Sequence, residues 1–329
     1  MTATVGTTSG SQAARLAPGF QLGEYRLGQP LWPMRIADAY RADGPRGPAT
    51  IYVVHARVAA IPEVRDHVIA GTRAAAQLPE HKHLVRTLAA GLTGDILWIA
   101  TDEVDGALVR DLLSKKRLAG GQGLGARAAG NLITGVAAAL ADIHHGALAD
   151  ESVVVSRTGR VRVVDLALGP GTAAAMAAKL IPPHSAVAPE VQAGAPPSGP
   201  ADVYSIGALL YATLVGKPLE RGGPRPSDVV EGLNTQIDEL VARACHRDPE
   251  KRFGRAEVLG EVVGEALTKG GAVQSSAIPT ITDADVADPA AALLGAQLAH
   301  ASSPQVSLAA SLTGLPSASS SGNPVVDRA

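Results

Sequence analysis

One strongly apolar stretch, residues 202–218, has the sequence DVYSIGALLYATLVGKP. Its apolar residues fall on every face of a helix, which is typical of a helix buried inside a domain. Gly216 and Pro218 predict where this helix ends, because glycine adopts a left-handed cap and proline cannot continue the hydrogen-bond ladder. The stretch is too short and too interrupted to span a bilayer. It therefore predicts a globular core built around one central helix.

Shorter patterns predict a strand-rich first part and a helical second part. β-branched runs bounded by turn residues are typical of strands, and apolar residues three or four apart are typical of helices. The patterns predict, in order, two strands within Tyr25–Ala42, a strand at Ala49–Val58, a helix at Pro62–Leu78, a strand from Ile96, a helix from Leu132 that ends at His144 and His145, and a hairpin of Val153–Val155 with Val161–Val164. The predicted fold class is α+β.

Composition divides the chain into three parts. Residues 1–22 and 269–329 are rich in Ala, Ser, Thr, Gly and Pro without periodicity, so we expect a disordered leader and a disordered tail around a domain at 23–268. Within the tail, Ala290–Leu298 could form a docking helix. A net charge of -2 gives no reason to expect nucleic-acid or membrane binding. The start lacks a signal peptide, and the single Cys245 fits a buried inert thiol, so we expect a cytoplasmic protein.

Several short motifs occur in a fixed order along the central part. They are LPEHKHLVRTL (78–88), IATDEVDG (99–106), DLA (165–167), APE (188–190), the 202–218 helix and HRDPEKRFGRAEVL (246–259). In this order and spacing they resemble the catalytic domain of protein kinases, in particular bacterial Ser/Thr kinases. The resemblance implies a bilobal fold with a small β-rich N-lobe and a larger helical C-lobe. It also implies an ion pair between Glu190 and Arg252, and a structural role for Asp202 beneath the catalytic loop.

The groups that handle phosphate in the family are missing at the matching positions. The glycine-rich loop keeps Gly28 but contains Pro30, Trp32 and Pro33. The resemblance puts His55 where the strand lysine belongs and Gly71 where its partner glutamate belongs. Phosphoryl transfer depends on such positioning and charge stabilisation, so their joint loss predicts a negligible rate.

The catalytic loop is also shortened. Between Gly146 and Val153 there is no His-Arg-Asp sequence and no accompanying lysine, and Ser152 stands where the family has a metal-binding asparagine. Asp165 remains as a possible metal ligand. The hinge is matched by Thr101, Asp102 and Val104, which would face an adenine if a nucleotide bound; no catalytic residue and no obligatory cofactor are expected.

The sequence therefore predicts a pseudokinase, a kinase-like domain that regulates or scaffolds Ser/Thr phosphosignalling by binding proteins. An active Ser/Thr kinase, or a forkhead-associated domain that binds phosphorylated Thr280 or Thr282, are the expected partners. Two alternatives stay open. One is an atypical kinase that uses Asp150, Glu151 and Asp165, and the other is a nucleotide sensor that binds ATP without magnesium.

Overall fold

The computed structural model describes residues 16–269, with a strand-rich lobe followed by a helical lobe. The N-lobe contains a six-stranded antiparallel sheet in the order β1-β2-β3-β4-β6-β5. Its strands are β1 (Gln21–Leu22), β2 (Tyr25–Pro33), β3 (Ala37–Gly44), β4 (Gly47–Val54), β5 (Thr87–Thr93) and β6 (Ile96–Asp102). Two helices, α1 (Ala56–Ala59) and α2 (Pro62–Ala76), connect β4 to β5. The predicted α+β bilobal fold is confirmed.

Alternation along the strands separates two apolar faces of this sheet. Ile51 packs in a cluster on the outer face, whereas Tyr52 and Val54 belong to the main core between the lobes. Trp32, Ala39 and Tyr52 lie opposite one another on β2, β3 and β4, so they form a row on the face toward the C-lobe. This row decides what can enter the cleft between the lobes.

The C-lobe is organised around α7 (Gly199–Val215), in which 14 of 17 residues are buried. The Ser198 hydroxyl caps its first turn by accepting the Ala201 N–H, and Gly216 ends it with φ of 79°. The other helices are α3 (Val109–Leu118), α4 (Ala126–Ala139), α5 (Gly169–Ala177), α6 (Pro189–Gln192), α8 (Pro226–Val229), α9 (Gln236–Ala244) and α10 (Ala256–Lys269). The prediction of a buried central helix that ends at Gly216 is confirmed.

A second, three-stranded sheet lies beside the cleft. It consists of β7 (Ala107–Leu108), β8 (Val153–Val155) and β9 (Val161–Val163), all antiparallel. The predicted hairpin is therefore confirmed. It places Asp165 just after β9, at the back of the cleft.

Some predicted boundaries were wrong. β1 includes Gln21–Leu22, which the composition had assigned to the leader, and Leu22 is fully buried. Helix α4 ends at Ala139 instead of at the paired histidines, because Leu140 leaves the helical backbone region. Helix α5 was not predicted at all. The expected leader before residue 16 and the expected tail after residue 269 lie outside the described residues.

Candidate functional site

Asp202 fixes the backbone of the shortened loop. Its carboxylate is buried at the start of α7 and accepts the N–H groups of His145 and Gly146, at 3.2 and 3.1 Å. It also bonds His144 Nδ1 at 3.1 Å, and this hydrogen bond raises the pKa of His144. The structural role implied for Asp202 is confirmed. The two histidines therefore bind carboxylates and do not stand at the end of a helix, where the sequence had placed them.

The implied ion pair between Glu190 and Arg252 is also confirmed. The Arg252 guanidinium donates to both carboxylate oxygens of Glu190, at 2.6 and 2.9 Å. Arg252 is buried and gives further hydrogen bonds to the carbonyls of His246 and Pro200. Because the Arg252 guanidinium also donates to these two carbonyls, the bidentate pair links α6 rigidly to the segment after α9.

Asp165, the remaining candidate metal ligand, is buried and already has two hydrogen-bond partners. Its Oδ1 lies 2.8 Å from His145 Nε2 and its Oδ2 accepts the Ser152 hydroxyl at 3.0 Å. His145 Nδ1 accepts the Ala147 N–H, so Nε2 carries the proton that is donated to Asp165. Both carboxylate oxygens are thus engaged inside the C-lobe. These two bonds fix the orientation of the carboxylate, and one acceptor site remains on each oxygen.

Asp150 and Glu151, the candidates for a displaced base, have different surroundings. Glu151 is buried and bonds two cations, Arg35 from the turn between β2 and β3 and Arg110 from α3. It therefore serves as a link between the lobes. Burial raises the pKa of Asp150, and the neighbouring charge of Glu151 raises it further. Asp150 lines a small cavity with His184 and Leu113.

The hinge residues lie together, but their polar groups already form hydrogen bonds within the protein. The Val104 N–H donates to the Thr50 hydroxyl at 3.1 Å. The Thr101 hydroxyl bonds backbone carbonyls, and the Asp102 carboxylate accepts from Arg86 at 3.1 Å. An adenine would have to replace at least the Val104 bond to be recognised by this backbone.

The indole of Trp32 fills the space beside the hinge. It packs against the main core and also against a separate apolar cluster made of Val85, Val104, Leu108, Val154 and Val164. That cluster joins the hinge to the C-lobe side of the cleft. A side chain of this size therefore packs against the cluster that contains the hinge residue Val104.

Tyr52 is the residue of β4 that faces the cleft, and the sequence comparison had missed it. Its side chain is buried, and its pKa is raised by burial and by the nearby charge of Asp165. His55 lies beyond the end of β4, with Nε2 3.7 Å from Asp38. Asp38 pairs with Val53, on the outer face of the sheet, so His55 points away from Asp165. Strand alternation counted back from Val54 could have identified Tyr52.

Two buried polar atoms in this region have no partner. Within residues 16–269, the Trp32 Nε1–H and the Tyr52 hydroxyl are buried without a hydrogen bond. Both side chains belong to the row described above. Leaving a buried donor unsatisfied costs about 1–3 kcal/mol, so the apolar packing of the two rings must outweigh this loss.

Gly71 on α2 lies where a side chain cannot fit. A Cβ placed there would be 2.6 Å from the Ala167 carbonyl oxygen. The facing helix α5 makes a matching approach, since a Cβ on Gly171 would be 2.2 Å from Val68 Cγ2. The two helices therefore meet through glycines. A glutamate at Gly71 would require α2 and α5 to separate.

Metal clusters and membrane spans are both absent from the described part of the chain. Residues 16–269 contain no group of three or more His, Cys, Asp or Glu side chains placed to hold a metal ion. Over the same range, no helix combines the length and apolarity needed to cross a membrane.

The chain is similar to mycobacterial Ser/Thr kinases. No family model matches it. It is 27% identical over 241 residues to the Ser/Thr kinase PknL of Mycobacterium bovis, which covers 67% of this chain and 60% of PknL. It is 27% identical over 293 residues to PknJ of the same organism, covering 78% of this chain and 48% of PknJ. The chain thus spans about half to 60% of the length of these relatives.

A solved structure supports the same family. The PknI kinase domain of Mycobacterium tuberculosis superposes with a TM-score of 0.64 at 25% identity, and the match covers 77% of this chain and 99% of that domain. A match of this extent includes both lobes and the motifs that the structure places around Asp165 and Asp202. The chain is therefore similar in sequence to bacterial Ser/Thr protein kinases and has the bilobal fold of their kinase domains.

Proposed function

We propose that this chain is a pseudokinase, a kinase-like domain that acts by binding proteins instead of transferring phosphate. The observation that supports the proposal most directly is the Trp32 indole packed against the Val104 cluster at the hinge. In this proposal the ring takes the place of a base, and the Val104 N–H that would recognise the base is bound to Thr50 instead. Phosphoryl transfer requires a nucleotide held in position, so a filled cleft removes the first requirement.

The state of the remaining acidic and basic groups supports the same proposal. Asp165 is held by His145 and Ser152, and the β4 residues in the main core, Tyr52 and Val54, carry no positive charge. Glu151 is held by two arginines. Strand β4 therefore contributes no lysine that could stabilise a phosphate beside Asp165. Charge stabilisation is usually the largest contribution to catalysis.

Nucleotide binding is the direct test. Thermal unfolding of the full chain is measured with ATP, with and without magnesium. We expect no shift in the melting temperature in either case. A shift that does not need magnesium would favour the nucleotide sensor, and a magnesium-dependent shift would favour the atypical kinase.

Transfer of labelled phosphate tests the enzyme alternative. The full chain and its Asp165→Ala variant are incubated with labelled ATP, magnesium and a general protein substrate. The proposal expects both to give the same background signal. Sustained transfer that Asp165→Ala abolishes would show an active kinase and overturn the proposal.

The proposed partners are an active Ser/Thr kinase and a domain that binds phosphothreonine. Support comes from the sequence PTITDADVAD at residues 279–288, in which Thr280 and Thr282 precede acidic residues. A phosphate on either threonine would add nearly two negative charges for an arginine cluster to bind. The test is to phosphorylate the full chain with a bacterial Ser/Thr kinase, locate the phosphate by mass spectrometry, and measure binding of a forkhead-associated domain. Equal binding by a Thr280→Ala/Thr282→Ala variant would exclude this site.

A further inference from the structure

A long groove runs along the outer side of the C-lobe between α4 and α10. It consists of two adjoining cavities of about 620 and 510 Å³. Thr134, Gly260 and Glu261 line both of them, so the two cavities form one continuous depression. None of the residues that line it belongs to the cleft between the lobes.

Small residues line the floor of this groove, apolar residues line one of its ends, and charged side chains such as Arg255, Glu257 and Glu261 line it as well. Gly260 lies so close to α4 that a Cβ there would be 2.5 Å from Ala137 Cβ. Leu78, Ile143 and Val258 face the larger cavity, and Val258 is 44% exposed. Shallow, small-residue surfaces allow a third helix to approach at the usual 8–10 Å, and the exposed apolar side chains favour its burial.

The chain leaves the described structure at one end of the groove. Gly264 and Glu265 line the smaller cavity, and Leu267 packs against Gly130 at the start of α4. Helix α10 then ends at Lys269. The residues that follow therefore begin next to the groove. Because they are tethered there, their effective concentration at the groove is higher than that of a separate molecule.

The sequence after Lys269 contains one segment suited to the groove, DPAAALLGAQLAH at residues 288–300. Asp288 followed by Pro289 is typical of a helix start, and alanine and leucine favour helix. A helix over residues 290–298 would be about 14 Å long. The stretch of α4 from Gly130 to Ala139 that borders the groove is about 15 Å long, which is close to this length.

The connection between α10 and this segment has a suitable length. Residues 270–288 amount to about 20 residues. A random coil of that length has an end-to-end distance of about 25 Å, which spans the groove without being much too long. Tethers of this kind give effective concentrations in the millimolar range, so even a weakly bound helix would be docked for much of the time.

We propose that the groove between α4 and α10 is the docking site for residues 289–298 of the same chain. This docking is independent of the proposed loss of kinase activity, because the groove and the cleft share no residue that either argument uses.

Disulfide trapping in the full chain tests the proposal. Val258→Cys is combined with Leu298→Cys, and a matched variant combines Val258→Cys with Thr280→Cys. Cys245 can stay, because burial raises the pKa of its thiol to about 12 and leaves little reactive thiolate. A chain that does not dock would bring the nearer Thr280 position to Val258 at least as often. We expect instead that the Leu298 pair forms an intramolecular disulfide about tenfold faster.

A second pair of variants separates docking from simple proximity. Leu293→Asp/Leu294→Asp is added to the Val258→Cys/Leu298→Cys variant and places two charges on the apolar segment. We expect it to slow disulfide formation about tenfold. Ser302→Asp/Ser303→Asp adds the same charge outside the segment and should leave the rate unchanged. Equal rates for the Leu298 and Thr280 pairs, or no effect of the leucine changes, would overturn the proposal. Disulfides that form between two molecules would assign the groove to a second copy and also overturn it.

Discussion

At the scale of single residues, two aromatic side chains line the cleft. The sequence identified one of them, Trp32, and missed the other, Tyr52. Trp32 was recognised from sequence as bulk in a glycine-rich loop, because any large residue there conflicts with a phosphate cradle. Tyr52 was missed because residues 49–58 are apolar almost throughout and the strand end could not be located from the pattern. The structure ends β4 at Val54, which puts Tyr52 and Val54 on the inner face of the sheet and His55 beyond the end of the strand. Chemistry at a strand position depends on register, and composition alone does not fix it.

Removing the Trp32 side chain is expected to open the cleft. Trp32→Ala should lower the free energy of unfolding by about 2–4 kcal/mol, since it deletes a partly buried ring from two apolar clusters. The vacated space beside Val104 should allow ATP to raise the melting temperature of the variant, which we do not expect for the parent chain. Urea unfolding and thermal shift with ATP measure the two effects.

The control for Trp32→Ala is Trp98→Phe. Trp98 is buried on the outer face of the same sheet, against Tyr25. This variant should lose some stability and gain no response to ATP. If Trp32→Ala is destabilised but ATP still has no effect, the ring is a core residue and not what keeps the nucleotide out.

His184 should make stability depend on pH. Burial, with a smaller contribution from the charge of Arg35, lowers the pKa of His184 to about 4, and its Nδ1 accepts the Ala186 N–H. The unfolded chain binds this proton near pH 6.5, so the contribution is complete above pH 6.5 and is lost as the pH falls toward 4. The loss is at most about 3 kcal/mol.

The measurement compares urea unfolding of the parent and His184→Asn between pH 7 and 4. Asparagine keeps an acceptor for the Ala186 N–H but does not titrate. The difference in unfolding free energy between the two proteins should shrink or reverse toward pH 4. The raised pKa of Asp150 acts in the opposite direction, but it is common to both proteins and cancels. A difference that is constant with pH would contradict the assignment.

At the scale of elements, helices and strands with a strong apolar period were predicted well and the segment without one was not. The 202–218 helix and the hairpin at 153–163 were found because burial leaves a clear pattern. Helix α5 was missed because GPGTAAAMA consists of small residues with no polar face and begins with Gly and Pro. Its stability comes from the contact with α2, where Gly71 and Gly171 allow the backbones to approach. Such tertiary contacts override local propensity.

Gly71→Ala tests whether this close contact is required. The added methyl group would lie 2.6 Å from the Ala167 carbonyl oxygen, which is backbone and cannot rotate away. Despite the higher helix propensity of alanine, we expect a loss of about 1–3 kcal/mol in urea unfolding. Gly254→Ala is the matched control, because a Cβ there meets nothing within 4 Å, and its stability should change little. Stabilisation by Gly71→Ala would show that α2 and α5 can separate freely.

At the scale of the whole molecule, a group of charged side chains ties the two lobes together. Arg35, in the turn between β2 and β3, donates to Glu151 and to the Ala147 carbonyl of the C-lobe. Arg110 on α3 donates to Glu151 and back to the Pro33 carbonyl of the N-lobe. The result is a clasp of Arg35, Glu151 and Arg110 across the mouth of the cleft. The sequence could not predict it, because these residues are far apart along the chain and match no motif.

Glu151→Ala should loosen this clasp. The change leaves Arg35, whose side chain is 13% exposed, without its carboxylate, and breaking a buried pair in this way costs about 3–5 kcal/mol. We expect a loss near the lower end of that range in urea unfolding, together with faster hydrogen exchange of the backbone at residues 33–37. Asp111→Ala is the control, since it removes an exposed partner of the same Arg110 and should change stability by less than about 1 kcal/mol. If Glu151→Ala lowers stability but leaves exchange at residues 33–37 unchanged, Glu151 supports only the C-lobe, and other contacts, such as the packing of α2 against α5, hold the lobes together.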